Sequence, residues 1–165
     1  MRELPHDERE LAFPVLEKSF EGWYLWHAKR TLRDVDLALG AFIESSLVGV
    51  SMLKMLDSHI GYVYYIAVST EFRKRRIGSA LLEKSLAHLV DRGADLVFAG
   101  ISEDNVESKA LFASLGFTQI SFSEISKLFG RLHAIVLYRK MTIVSGEVVY
   151  VRRLTKEVTS SSTQV

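Results

Sequence analysis

Arg73, Lys74, Arg75 and Arg76 stand in unbroken succession just before a helical stretch that opens at Ile77 and Gly78. Cations at a helix N-terminus oppose the macrodipole, which already places positive potential there, and each exposed charge costs roughly 0.3–1 kcal/mol. A bound phosphate or pyrophosphate reverses that sign, because free N–H groups, dipole and side chains then all favour the anion. The spacing is neither the GxxxxGK[ST] of a P-loop nor the three glycines of a dinucleotide fold. A solvated basic loop, or a contact with nucleic acid, would draw on the same residues.

A second stretch, Asn105 to Phe117, contains the chain's only asparagine. Asp104 or Asn105 can cap a helix, Asp104 and Glu107 have capping-box spacing, and Gly116 suits the left-handed residue that ends it. Alone, this segment describes a capped helix and nothing more. Together the two segments resemble motifs A and B of the GNAT superfamily of acetyl-CoA-dependent N-acetyltransferases. Motif A, Arg/Gln-x-x-Gly-x-Gly/Ala, reads here Arg73-Lys74-Arg75-Arg76-Ile77-Gly78, followed by Ser79. Motif B, N-x-x-A-x-x-L-Y-x-x-x-G-F, matches Asn105-Val106-Glu107-Ser108-Lys109-Ala110-Leu111-Phe112-Ala113-Ser114-Leu115-Gly116-Phe117. The resemblance runs from Gly61 to Met141 and extends more weakly to the N-terminus. Two departures bear on the chemistry. Arg76 replaces a glycine, and its N–H reaches a phosphate provided its φ stays negative. Phe112 replaces the tyrosine that commonly protonates the leaving thiolate.

The elements that must position these groups read as mixed α and β. Helical spacing covers Asp7–Ser19 and Glu21–Arg33, and strands are predicted over Leu37–Ile43, Val48–Leu56 and Ile60–Val68, with Gly49 suited to a bulge. A helix follows over Ile77–Asp91, its apolar side carrying Ile77, Leu81, Leu82, Leu86 and Leu89 and its end marked by Gly93. Beyond it come a strand at Leu96–Ile101, a helix at Val106–Leu115, and strands at Phe117–Ser121 and His133–Met141. Ser145-Gly146-Glu147 between β-branched runs predicts a hairpin or added strand. As an edge strand it would cover its own sheet or pair with a second subunit, which leaves a homodimer open. Residues 1–141 are read as the resembling domain, 142–154 as an extra C-terminal strand or hairpin, and 155–165 as a disordered tail.

At 165 residues, 48% hydrophobic and net charge +1, the chain has the composition of one globular domain without a global basic field, which disfavours nucleic acid. No apolar run approaches the roughly 20 residues of a membrane span. Cysteine is absent, and the five histidines lack HxxxH or HExxH spacing, so no metal site is expected. The N-terminus shows no signal-peptide core, and a cytoplasmic protein is expected.

The resemblance implies an α/β fold, a GNAT sheet, mixed but mostly antiparallel, whose fourth and fifth strands splay apart. Acetyl-CoA would enter that opening as co-substrate. Its pyrophosphate would rest on Arg73–Ser79, with Asn105, Ser108 and Phe112 beside it, and its pantetheine would run along Ile66, Ala67 and Val68. The Val68 N–H would hold the oxyanion. A neutral amine of a small molecule or peptide then attacks the thioester directly. The catalytic group expected is Tyr64, acting through a water chain, since no carboxylate stands on the fourth strand. Tyr64 and Tyr65 are expected on opposite sheet faces. Glu103, His133 and a strand-borne Tyr138 are weaker candidates. Trp23, Tyr24, Trp26 and His27 would line an aromatic acceptor pocket or fill the core, and the loop Ser123–Arg131 would cover it. Phe112 and the missing strand-four carboxylate support an alternative: a non-catalytic acyl-CoA-binding sensor.

Overall fold

The computed structural model describes residues 1–154, so the predicted disordered tail lies outside the described residues. Seven strands form one sheet in the order β1-β2-β3-β4-β5-β7-β6. They are β1 (Arg2–Glu3), β2 (Leu37–Ile43), β3 (Ser46–Met55), β4 (Ile60–Val68), β5 (Leu96–Ser102), β6 (Thr118–Ile120) and β7 (Glu147–Arg153). The helices are α1 (Phe13–Glu17), α2 (Gly22–Asp34), α3 (Ile77–Asp91), α4 (Val106–Ser114), α5 (Phe122–Phe129) and α6 (Arg131–Met141), with 3₁₀ segments at His6–Ala12 and Thr70–Phe72.

The predicted meander β2-β3-β4 is antiparallel, and β4 pairs with β5 in parallel through the α3 crossover. That parallel pairing covers only Ile60–Val63 against Leu96–Ala99. Beyond Val63 the two strands diverge, and among the described residues the remaining edge of β4 has no strand partner on that side. The predicted splay is therefore present, and both cavities described below lie at it.

α3 packs over β2, β3 and β4 and buries Leu81, Leu82, Leu86 and Leu89, each worth about 1.5–3 kcal/mol on leaving water. A buried Ser85–Ser51 hydroxyl pair at 2.7 Å ties it to β3. On the other face lie α1 and α2 over one half of the sheet and α5 and α6 over the other. Arg9 fixes α2 by donating to the carbonyls of Leu32, Arg33 and Val35 at 2.9–3.2 Å, satisfying acceptors that the helix end leaves free.

Three expectations are corrected here. His133–Met141 is not a strand but part of α6, which carries Tyr138. A short apolar run does not distinguish strand from helix by periodicity, and here a capping box at Ser121 and Glu124 starts a helical hairpin turned at Gly130, φ +81°. The expected loop Ser123–Arg131 is largely α5. The added strand is not at an edge: β7 lies between β5 and β6, antiparallel to both, so its backbone is paired on each side.

Candidate active site at the strand splay

A trench of about 600 Å³ runs beside β4, the Phe72–Ser79 loop and the first turns of α3 and α4. It opens into an inner chamber of about 110 Å³ between the diverging strands, the two sharing Phe20, Ile66, Asn105, Ser108 and Leu111. Of the residues singled out from the sequence, Ile66, Ala67, Val68, Arg73, Lys74, Arg76, Ile77, Gly78, Ser79, Asn105 and Ser108 line the trench. Tyr64 and Phe112 line the chamber. Arg75 lines neither; its guanidinium sits over the Phe72 ring, 5.4 Å from the centroid.

The trench has the local features of an anion site. The first backbone bond within α3 is Ala80 N–H to the Arg76 carbonyl, 3.0 Å, and Arg76 provides no side-chain cap. The N–H groups of Ile77, Gly78 and Ser79 thus lack intrahelical acceptors. Lys74 and Arg76 both adopt φ +60°, so the negative φ expected at Arg76 is not found. The loop instead keeps at Arg76 a turn that a glycine would adopt freely, at roughly 1–2 kcal/mol of strain. Strain of this kind is retained where surrounding structure and function require the shape. At Gly78 a Cβ would come no closer than 3.5 Å to Leu111, so protein packing alone does not demand glycine, and the bare backbone leaves space on the trench side. Asn105, rather than Asp104, caps α4 by accepting the Ser108 N–H at 2.9 Å. Arg73 Nε donates to the Val68 carbonyl at 3.2 Å, tying the loop to the free end of β4.

The chamber owes its lining to a β-bulge. Met52 of β3 pairs with Tyr65 and Leu53 with Val63, so Tyr64 is an extra residue on β4. The alternation of faces is interrupted there. Val63, Ile66 and Val68 pack towards α3, whereas Tyr62, Tyr64, Tyr65 and Ala67 pack on the opposite face. Tyr64 and Tyr65 therefore share a face, contrary to the expectation from strict alternation, and both line the chamber. The Tyr64 hydroxyl donates to the Lys140 carbonyl at 2.7 Å, leaving its oxygen free only to accept. The Tyr65 hydroxyl lies 2.8 Å from His27 Nδ1, and Trp23 stacks on that imidazole at 4.9 Å. Burial, then the Arg30 charge, pushes His27 below its usual range and keeps it neutral near pH 7. Burial first, and Glu147 second, pushes the Tyr65 phenol up.

Glu147, at the start of β7, is the residue that the sequence reading missed. It lines the chamber opposite Tyr24, Tyr64 and Tyr65. Its only signal was a lone acid opening an apolar run, and its place became visible once β7 lay between β5 and β6. Gly100 makes room for it: a Cβ there would lie 2.7 Å from the Tyr62 hydroxyl and 3.4 Å from Glu147 Oε2. Burial holds the Glu147 carboxyl above the ordinary carboxylate range, partly offset by the Val144 N–H it accepts at 3.1 Å.

The remaining candidates lie elsewhere. Glu103 is exposed. His133 Nε2 is 3.7 Å from Asp57, and Tyr138 packs edge-on to Phe122. On α2, Tyr24 lines the chamber and His27 a neighbouring groove, while Trp23 and Trp26 are 50% and 56% exposed, so the tryptophans are not core. Among the described residues no group of three potential metal ligands is found, and no helix is long and apolar enough to cross a membrane.

Residues 2–117 match the acetyltransferase (GNAT) family. A stretch of 63 residues, 38% of this chain, is 43% identical to mycothiol acetyltransferase of Thermobispora bispora, and the match spans 21% of that protein. The fold superposes on PaiA N-acetyltransferase of Thermoplasma acidophilum, solved with coenzyme A, with TM-score 0.70 and 15% identity over 93% of this chain and 97% of that one. The ribosomal-protein-S18-alanine N-acetyltransferase of Escherichia coli gives 0.68 and 14% identity over 94% and 95%. Family match, sheet order and splayed strands agree, and the chain belongs to the acetyltransferase (GNAT) family.

Proposed function

We propose that the protein is an acetyl-CoA-dependent N-acetyltransferase that acetylates a primary amine of a small molecule or peptide by direct attack on the thioester. The observation that carries this reading is the continuity of an anion-binding trench with a chamber lying where β4 and β5 part. The trench fits coenzyme A. Arg73, Lys74 and Arg76 with the N–H groups of Ile77–Ser79 would hold the pyrophosphate, and Asn105 and Ser108 flank its path. The unpaired edge of β4 from Ile66 to Val68 would pair with the amides of pantetheine as a further strand would. An N–H on that edge, read as Val68, would donate to the oxyanion. Arg75, outside the trench, would contribute only long-range charge.

Acetyl-CoA supplies the activated acyl group; the chain must place the amine, take its proton and shield the thioester. The chamber, about 110 Å³, is small, which suits an acetyl head and an amine nitrogen rather than a bulky group. Tyr64, its own proton engaged with Lys140, can accept from a water and so hold that water in place for proton transfer. Phe112 cannot protonate the thiolate, which supports the second reading, an acyl-CoA sensor without turnover.

Calorimetric titration with acetyl-CoA, followed by thiol release against amines and N-terminal peptides, tests both. Binding in the micromolar range with turnover on an acceptor is expected. Binding without turnover on any amine would favour the sensor, and absence of binding would overturn the trench assignment.

A further inference from the structure

Glu147 is half-buried, faces the chamber, and has no lysine, arginine or histidine within ion-pair distance among the described residues. A desolvated carboxylate without a counter-charge is costly, and one hydrogen bond, from Val144 N–H, only partly offsets it. The groups that face it are phenols: Tyr62 and Tyr65 from β4 and Tyr24 from α2, each made harder to ionise by its charge, with Tyr64 beside them in the chamber wall. No charged group opposes it from β5, where its register partner is Ser102 and the bare Gly100 leaves space for its carboxyl. A carboxylate ringed by aromatic rings is a site for a cation, since the ring faces add to the attraction.

We propose that Glu147 is the proton acceptor of the reaction, and that the acceptor enters the chamber as a primary ammonium ion held between this carboxylate and the surrounding tyrosines. The inference rests on the acetyl transfer proposed above. The ammonium gives one proton to the Glu147 carboxylate, directly or through the water held by Tyr64, and the freed nitrogen pair attacks the thioester carbon. A C–N bond forms and the C–S bond breaks. The nitrogen's second proton goes to the departing CoA thiolate, giving the amide and free CoA thiol, and Glu147 returns its proton to solvent. No donor at Phe112 is then needed, because the proton that neutralises the thiolate comes from the nucleophile itself. The groove lined by His27 offers a competing route through Tyr65.

The test compares wild type, Glu147→Gln, Glu147→Asp and His27→Gln for kcat/KM against pH, with an aliphatic amine and with an arylamine already neutral at pH 7. Wild type should lose activity as pH falls through the Glu147 value, above the ordinary carboxylate range. E147Q should remove that limb and lower kcat/KM for the aliphatic amine by about 10²-fold or more, with a loss below about tenfold for the arylamine. E147D should keep the limb at a reduced rate, H27Q should keep it as well, and acetyl-CoA affinity should be unchanged in E147Q. An E147Q enzyme with the wild-type limb and amine preference, loss of the limb in H27Q instead, or a matching loss of acetyl-CoA affinity would overturn the role of Glu147 while leaving acetyl transfer standing. Wild type that binds acetyl-CoA but turns over neither amine would defeat the transferase reading, and this inference with it.

Discussion

The trench draws its cations and its free helix N–H groups from one segment, Arg73–Ser79, and adds the first turn of α4. The inner chamber takes Tyr24 from α2, Tyr64 and Tyr65 from β4, Gly100 from β5, Phe112 from α4 and Glu147 from β7. In the trench, charges and bare N–H groups sit where solvent reaches them, so the local chain supplies the groups proposed to hold the anion. In the chamber, each side chain is ordinary in its own segment, and only a bulge and a strand inserted between β5 and β6 bring them together. Substitutions in the trench should therefore alter affinity for acetyl-CoA with little change in folding. Substitutions in the chamber should alter turnover and stability with little change in that affinity.

The largest effect expected from breaking this division is in the loop. Replacing Arg73 and Arg76 together by glutamate removes two donors and puts two negative charges before a helix N-terminus. Charge-assisted bonds are worth about 1.5–3 kcal/mol each, so acetyl-CoA affinity should fall by at least about 10²-fold in calorimetry. Arg75→Glu is the control, because its guanidinium rests on Phe72. A loss below about tenfold is expected there, shrinking as salt screens the field. Equal losses at all three positions would mean that the loop acts by net charge alone.

On the chamber side, Gly100→Ala should produce the converse. The added Cβ meets the Tyr62 hydroxyl and Ile143 Cδ1, each at 2.7 Å; the partly buried Ile143 can swing away, but Tyr62 is buried and has no easy room to withdraw. Overpacking of this kind costs about 1–3 kcal/mol, and at this chain length each kcal/mol lowers the midpoint by about 2–4 °C. Turnover should fall with it while acetyl-CoA affinity holds. A variant with unchanged midpoint and rate would show that the glycine serves neither Tyr62 nor Glu147.

The same division explains what the sequence disclosed. β2, β4 and α3 were legible because each carries its own strong pattern: near-continuous apolar runs of strand length, then a helix with Leu81, Leu82, Leu86 and Leu89 on one side. The trench residues were legible because a run of cations before Gly78 is a local anomaly. α6 was misread because Ala134, Leu137 and Met141 are buried while Ile135 and Val136 remain exposed on the same helix, which blurs its period. The chamber was illegible for a different reason. One extra residue at Tyr64 reverses which face the following side chains occupy, and no alternation rule anticipates a bulge. Glu147 looked like a turn acid because its neighbours Tyr24, Tyr62 and Tyr65 lie more than 80 positions away in the chain.

A smaller effect separates the two proton routes at the thiolate. Phe112 is buried against Phe117, with ring centroids 5.0 Å apart, and borders the chamber. Phe112→Tyr offers a phenol as acid. If the nucleophile's own proton already reaches the thiolate, kcat should change by less than about tenfold, well under the 10²–10⁴ typical of a needed general acid. A rise beyond 10²-fold would show instead that the wild-type chamber lacks an acid.

The smallest expected effect is on stability, and its sign is opposite to the loss of function. Burial raises the Glu147 carboxyl above its unfolded value, so the unfolded chain releases this proton first as pH rises. The contribution to stability is fully present below the unfolded pKa and disappears as pH climbs through the native one. Glutamine keeps an acceptor for the Val144 N–H and has no such titration. Near pH 4, wild type and E147Q should unfold at nearly the same temperature. At pH 7.5 the variant should be the more stable, by no more than about 4 °C, equivalent to about 1 kcal/mol at this length. A catalytic carboxylate without a partner should carry this cost until its ammonium substrate arrives. Were wild type the more stable at neutral pH, Glu147 would already have a counter-charge in the folded chain, and the chamber would have no call for a cation.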